Sequence, residues 1–201
     1  MKRGSILILT TVLVLSIASG AWALPVAGTY VKMENDWKVP YTMTDSSGNE
    51  YGTFCLEKYE YFTPGNKYYV DSVGEYAIGG GVGADDLGRD KVESQSKWLY
   101  AAFMSEVFIG LEHAAQRVQN AIWFWESEYS AGSSDWDILS GYKFDDSGWT
   151  VLAVNLSSYG DDDNQSQLVG VAPVPEPATL LLLGTGLLGL AGVSRKKLKR
   201  S

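Results

Sequence analysis

The run Leu111-Glu112-His113-Ala114-Ala115-Gln116-Arg117-Val118-Gln119-Asn120-Ala121-Ile122-Trp123-Phe124-Trp125 decides the fold class. Leu111, Ala114, Val118, Ala121, Ile122 and Trp125 recur at the spacing that lines one face of an α-helix. Upstream, Trp98 with Ala102, and Leu99 with Phe103 and Val107, keep the same period, so residues 94–128 read as two helices joined near Gly110. On either side the pattern changes to short strand-like runs at residues 29–33, 37–44, 51–62, 67–73, 149–156 and 165–172. Turn signals separate them: Ser46-Ser47-Gly48-Asn49, Thr63-Pro64-Gly65-Asn66, residues 130–134 and Asp145-Asp146-Ser147-Gly148. Strands flanking a helical insert predict an α+β domain, a β-sandwich or barrel packed on helices, with no internal repeat. Residues 77–90, rich in glycine, read as a flexible loop. They lack the Lys-Ser/Thr ending of a phosphate loop and the acid of a dinucleotide site, so nucleotide binding is not expected.

The two ends carry addresses. Met1-Lys2-Arg3, an apolar run over residues 6–17 and the small residues of Ala21-Trp22-Ala23 make a secretory signal peptide over residues 1–23, an N-terminal helix with cleavage expected after Ala23. At the other end Val174-Pro175-Glu176-Pro177 precedes an apolar run over residues 178–193 and the basic cluster Arg195-Lys196-Lys197-Leu198-Lys199-Arg200. A basic cluster after an apolar helix stays cytoplasmic, so this hydrophobic helix pauses in the membrane with Pro175, Glu176 and Pro177 at its outer face, extended and open to cleavage. The order resembles the PEP-CTERM sorting signal of Gram-negative bacteria, placed here at residues 173–201. That resemblance implies an exosortase-type processing enzyme as partner, transient anchoring in the inner membrane, and a final place at the cell surface or in a biofilm matrix.

Between the addresses lie residues 24–172, enough for one core. From Leu24 to Val174 there are 9 Lys or Arg against 23 Asp or Glu, a net charge of −14. Such a surface repels nucleic acid and anionic lipid. Asp161-Asp162-Asp163-Asn164 lacks the spaced ligands and distal Glu of a calcium loop and reads as a solvated turn. One Cys and one His in the whole chain do not build a zinc shell, so neither a metal nor another cofactor is expected.

The single cysteine, Cys55, stands in Gly52-Thr53-Phe54-Cys55-Leu56-Glu57. In an exported protein an unpaired thiol is buried and inert, joined to another chain, or committed to a different bond. Phe54-Cys55-Leu56 together with Val118-Gln119-Asn120-Ala121-Ile122-Trp123-Phe124-Trp125 resembles the paired signature of bacterial Cys-Gln thioester domains: an aromatic residue or leucine, Cys and a hydrophobe, then a hydrophobe, Gln, two free positions, a hydrophobe, Trp, one free position and a hydrophobe. Trp98-Leu99-Tyr100 and Ala114-Ala115 add to the likeness, which covers most of the exported domain.

The resemblance implies that the Cys55 thiolate attacks the Gln119 carboxamide, expels ammonia and leaves a thioester between a strand and a helix. Phe54 and Trp123 are suited to keep water from it. The family acts as single-use covalent adhesins and not as enzymes: an amine or hydroxyl of a partner surface takes the Gln119 acyl group and frees Cys55. Most members are Gram-positive, so the partner is left open. His113, the only histidine, stands near a helix start, where a solvated side chain is the simpler reading; it is also a candidate assistant to the acyl transfer. Two other functions compete. One is a noncovalent module that binds polysaccharide on some of its 7 Trp and 12 Tyr, with a buried free Cys. The other is a secreted hydrolase using Glu57 with Glu60, or Asp135 with Asp137.

Overall fold

The structure, a computed structural model, describes residues 23–34, 38–78, 81–158 and 161–173, without the side chains of 161–164. Leu24–Pro173 forms one compact unit. Among the described residues no helix is long and apolar enough to cross a membrane. The expected signal helix and C-terminal hydrophobic helix, with Pro175, Glu176 and Pro177, lie outside these residues; Ala23 opens them as an exposed residue.

Strands β1 (Tyr30–Met33), β2 (Tyr41–Asp45), β3 (Glu50–Cys55), β4 (Lys67–Gly74), β7 (Thr150–Ser158) and β8 (Asp161–Val171) close an antiparallel barrel in the order β1-β2-β3-β8-β7-β4. A separate two-stranded ribbon pairs β5 (Tyr76–Ile78) with β6 (Arg89–Lys91) across the two ends of the stretch expected to be loop. The helices are α1 (Ser94–Met104), α2 (Ala114–Trp125) and α3 (Ser133–Leu139). The α+β class and the two helices broken near Gly110 follow the expectation, with the barrel as the form the sheet takes. Only α1 falls wholly between Cys55 and Gln119, because Gln119 itself lies on α2. Three readings need correction. The strand over residues 51–62 stops at Cys55, residues 161–164 continue β8 and are no turn, and the turn expected at 130–134 leads into α3.

Strand alternation sorts the core into two layers. Val31 and Met33 of β1, Tyr51 and Cys55 of β3, Tyr68 and Val70 of β4, Val154 and Leu156 of β7 and Val169 of β8 fill the barrel. On the outer face Phe54, Val151, Ala153 and Leu168 meet Leu99, Tyr100 and Ala102 of α1 and Val118, Ala121 and Ile122 of α2. Helices cover this side, so β3 is buried on both faces from Thr53 onward. Tyr100 ties the layers together, donating its hydroxyl to the Gly52 carbonyl at 2.9 Å.

Candidate functional site

Strand β2 pairs with β3 only as far as Tyr41 opposite Thr53, because β2 begins at Tyr41, immediately after Pro40. Two residues further along β3, the backbone N–H and C=O of Cys55 face the same side and find no strand there. The carboxamide of Gln119 takes the vacant place. The Cys55 N–H donates to Gln119 Oε1 at 2.9 Å, and Gln119 Nε2 donates to the Cys55 carbonyl at 2.8 Å. A primary amide carries one acceptor and donors on adjacent atoms, so it reproduces the reciprocal pair of bonds that a neighbouring strand would make. Both residues are buried, Cys55 at 2% and Gln119 at 0% exposure. Residues 64 apart in sequence are thus brought into contact.

The sulfur points into the barrel, toward β8. Cys55 Sγ donates to Gln165 Oε1 at 2.8 Å, and Gln167 Nε2 donates to Sγ at 3.5 Å. Each amide is held by a second bond: Gln165 Nε2 donates to the Glu57 carbonyl, and Thr53 Oγ1 donates to Gln167 Oε1 at 2.9 Å. Burial raises the Cys55 thiol far above its ordinary value; the Gln167 hydrogen bond opposes this, the nearby Glu57 adds to it, and Tyr41 opposes it. The thiol is therefore neutral at neutral pH.

Trp123 follows Gln119 by one helical turn and packs against the barrel-interior cluster that holds Cys55. Lys58 Nζ lies 5.9 Å from its ring centroid and 3.3 Å from that of Tyr129, so a lysine and two aromatic rings lie beside the site. Phe54 is turned the other way, edge-on to Phe103 at 5.3 Å and Tyr100 at 6.2 Å between strand and helix. His113 caps the start of α2 with a left-handed backbone (φ 56°); its side chain is 73% exposed beside Glu112, on the surface and away from the buried thiol. Asp135 is engaged by Arg117 at 2.7 Å and Asn120 at 2.8 Å. Glu57 is buried with Oε2 accepting from the Ser166 N–H at 2.8 Å, and burial with the neighbouring Glu60 pushes its carboxyl up to about 8. Among the described residues no three His, Cys, Asp or Glu side chains are grouped to hold a metal.

Gln165 and Gln167 escaped the sequence reading. The signal was present as two amides two positions apart in a strand-like run, but that alternation also describes a half-solvated strand.

The fold and the site define an α+β domain built as a closed barrel, whose single thiol is clamped at its backbone by a helix-borne glutamine. The chain carries a PEP-CTERM protein-sorting motif, matched over residues 173–196. No curated protein matches. Among solved structures the chain is similar to the N-terminal thioester domain of fibronectin-binding protein SfbI from Streptococcus pyogenes, at 17% identity and a TM-score of 0.45, over 79% of this chain and 100% of that one.

Proposed function

We propose that Cys55 and Gln119 form an internal thioester and that the protein is an exported surface protein of a Gram-negative bacterium that captures a partner covalently, once per molecule. The observation that carries this reading is the two-point contact between the Gln119 carboxamide and the Cys55 backbone. A hydrogen bond from the Cys55 N–H to Gln119 Oε1 polarises the carbonyl and meets the oxygen on which negative charge develops when sulfur adds to the carbon. In formation the S–C bond forms, the C–N bond of the carboxamide breaks, and the thiol proton leaves with the nitrogen as ammonia. In capture an amine or hydroxyl of the partner bonds to the same carbon, the C–S bond breaks, and the proton lost by the nucleophile returns to Cys55. Trp123 keeps water from the acyl group, while Phe54 fixes β3 against α1. The sorting motif supports export and processing by an exosortase-type enzyme at Pro175-Glu176-Pro177; the apolar run after it anchors the chain in the membrane until that step.

The test is the intact mass of the exported chain beside its Cys55→Ala variant and a methylamine-treated sample. The expected outcome is a deficit of one ammonia in the parent, none in the variant, and a methylamine adduct on Gln119. A full mass with a titratable thiol would sink the reading. It would favour the noncovalent alternative, for which an open groove lined by Gln95, Trp98, Trp136, Tyr142 and Lys143 offers aromatic faces to a sugar.

A further inference from the structure

The interior of the barrel is apolar except around one atom. Residues 165, 167 and 169 of β8 share the inward face; Val169 fills it as a hydrophobe, yet Gln165 and Gln167 bring two primary amides to it at 4% and 0% exposure. Burying amides is costly unless each is hydrogen bonded, and an inert core cysteine behaves as a small hydrophobe that asks for no such partners. Here both amides converge on Sγ, one with its oxygen and one with its nitrogen. The opposite end of each is anchored, Gln165 by the Glu57 carbonyl and Gln167 by the Thr53 hydroxyl. The Glu57 carbonyl accepts only, so it fixes the Gln165 oxygen on the sulfur; the single S–H is then given to Gln165, and Gln167 is left to present its N–H.

Resting on the thioester reading above, we propose that Gln165 and Gln167 are catalytic residues at the sulfur: Gln165 holds the S–H of the free thiol, and Gln167 donates to the sulfur as it becomes negative, both when it attacks Gln119 and when it is displaced by the partner. Thr53 acts as a positioning residue for Gln167. An N–H donor aimed at a developing thiolate stabilises the charged form and offsets part of what burial costs. The Cys55 N–H serves the carbonyl oxygen, Gln167 serves the sulfur, and Gln165 receives the S–H that is restored when the C–S bond breaks.

The experiment follows ammonia loss and methylamine uptake by mass in the full chain, for the parent, Gln167→Met, Thr53→Val and Thr53→Ser, with urea unfolding measured in parallel. Gln167→Met keeps the shape and lacks the donor; it is expected to slow both reactions by about tenfold or more. Thr53→Val is expected to slow them less, and Thr53→Ser to restore them, at stabilities that do not follow the same order. Parent-like rates in Gln167→Met would overturn the proposal while leaving the thioester intact. Should that variant fail to fold, equal rates in Thr53→Val and Thr53→Ser would overturn it instead. A parent chain of full mass would overturn both readings together.

Discussion

Gln119 holds Cys55 by the backbone on both sides of its α-carbon, at 2.9 Å to the N–H and 2.8 Å to the C=O, while the sulfur is held separately by β8. The clamp has a structural role beside the reactive one proposed for it, and the two can be separated. Gln119→Ala leaves the buried Cys55 N–H and C=O without partners, whereas in a cross-linked parent, which has lost Nε2 as ammonia, the acyl oxygen still accepts from that N–H. The substitution is expected to destabilise the fold by about 2–5 kcal/mol, more than Cys55→Ala, which keeps the clamp. Urea unfolding of the two variants checks this; equal losses would mean that the contact contributes nothing beyond the cross-link.

The shielding proposed for Trp123 gives a kinetic expectation. Its ring packs on the cluster that contains Cys55, so Trp123→Ala opens a water path without touching either reacting residue. The ammonia-deficient species should still form but convert several times faster to the hydrolysed chain, with Glu in place of Gln119, in a time course followed by mass. An unchanged lifetime would assign the shielding elsewhere.

Two buried carboxyls set a pH dependence. Burial raises Glu57 to about 8, with Glu60 adding to the shift, and burial raises Glu126 to about 7. Both start from an ordinary carboxyl value of 4.5. Between that value and the raised ones the folded chain binds more protons than the unfolded chain, so stability falls as pH rises. The contribution is fully present below about pH 4.5 and is lost by about pH 8. Melting temperatures across this window should decline, and Glu57→Gln should flatten the upper part of the curve. A rising curve in the parent would contradict the assignment.

The short helix after the site is fitted closely to α2. A Cβ at Gly132 would stand 2.0 Å from the Asn120 carbonyl oxygen, a backbone atom next to Gln119. Gly132→Ala should therefore cost about 2–3 kcal/mol and lower the fraction of chains carrying the cross-link, read from the same mass spectra. A neutral substitution would show that the turn at residues 130–132 can move without disturbing α2.

The contact of Cys55 with Gln119 was legible through the resemblance of two short runs, residues 54–56 and 118–125, to a paired signature whose order a single chain displays. The two helices were legible from their apolar period. What the sequence hid depends on closure. Whether Gln165, Gln167 and Thr53 face solvent or the core is decided only when β8 docks between β3 and β7, and no local pattern records that event. The end of β3 at Cys55 was hidden for a related reason: residues 57–62 keep strand-like alternation, but Glu57 turns its carboxyl onto the backbone of β8 and no strand partner follows. Helix α3 was missed because its seven residues, Ser133–Leu139, are too few to show a period.

The position of Gln119 on α2, well before the last strand, has a mechanical consequence. A partner bonded to that side chain and a hold on the chain beyond Pro173 would be joined covalently through α2, α3, β7 and β8 alone. Strands β1 to β6 and α1 lie outside that line of tension. In the capture proposed above, which releases Cys55, they would brace the loaded segment only through hydrogen bonds and packing, so a pull strong enough to strip β8 from β3 would lengthen the tether without breaking it.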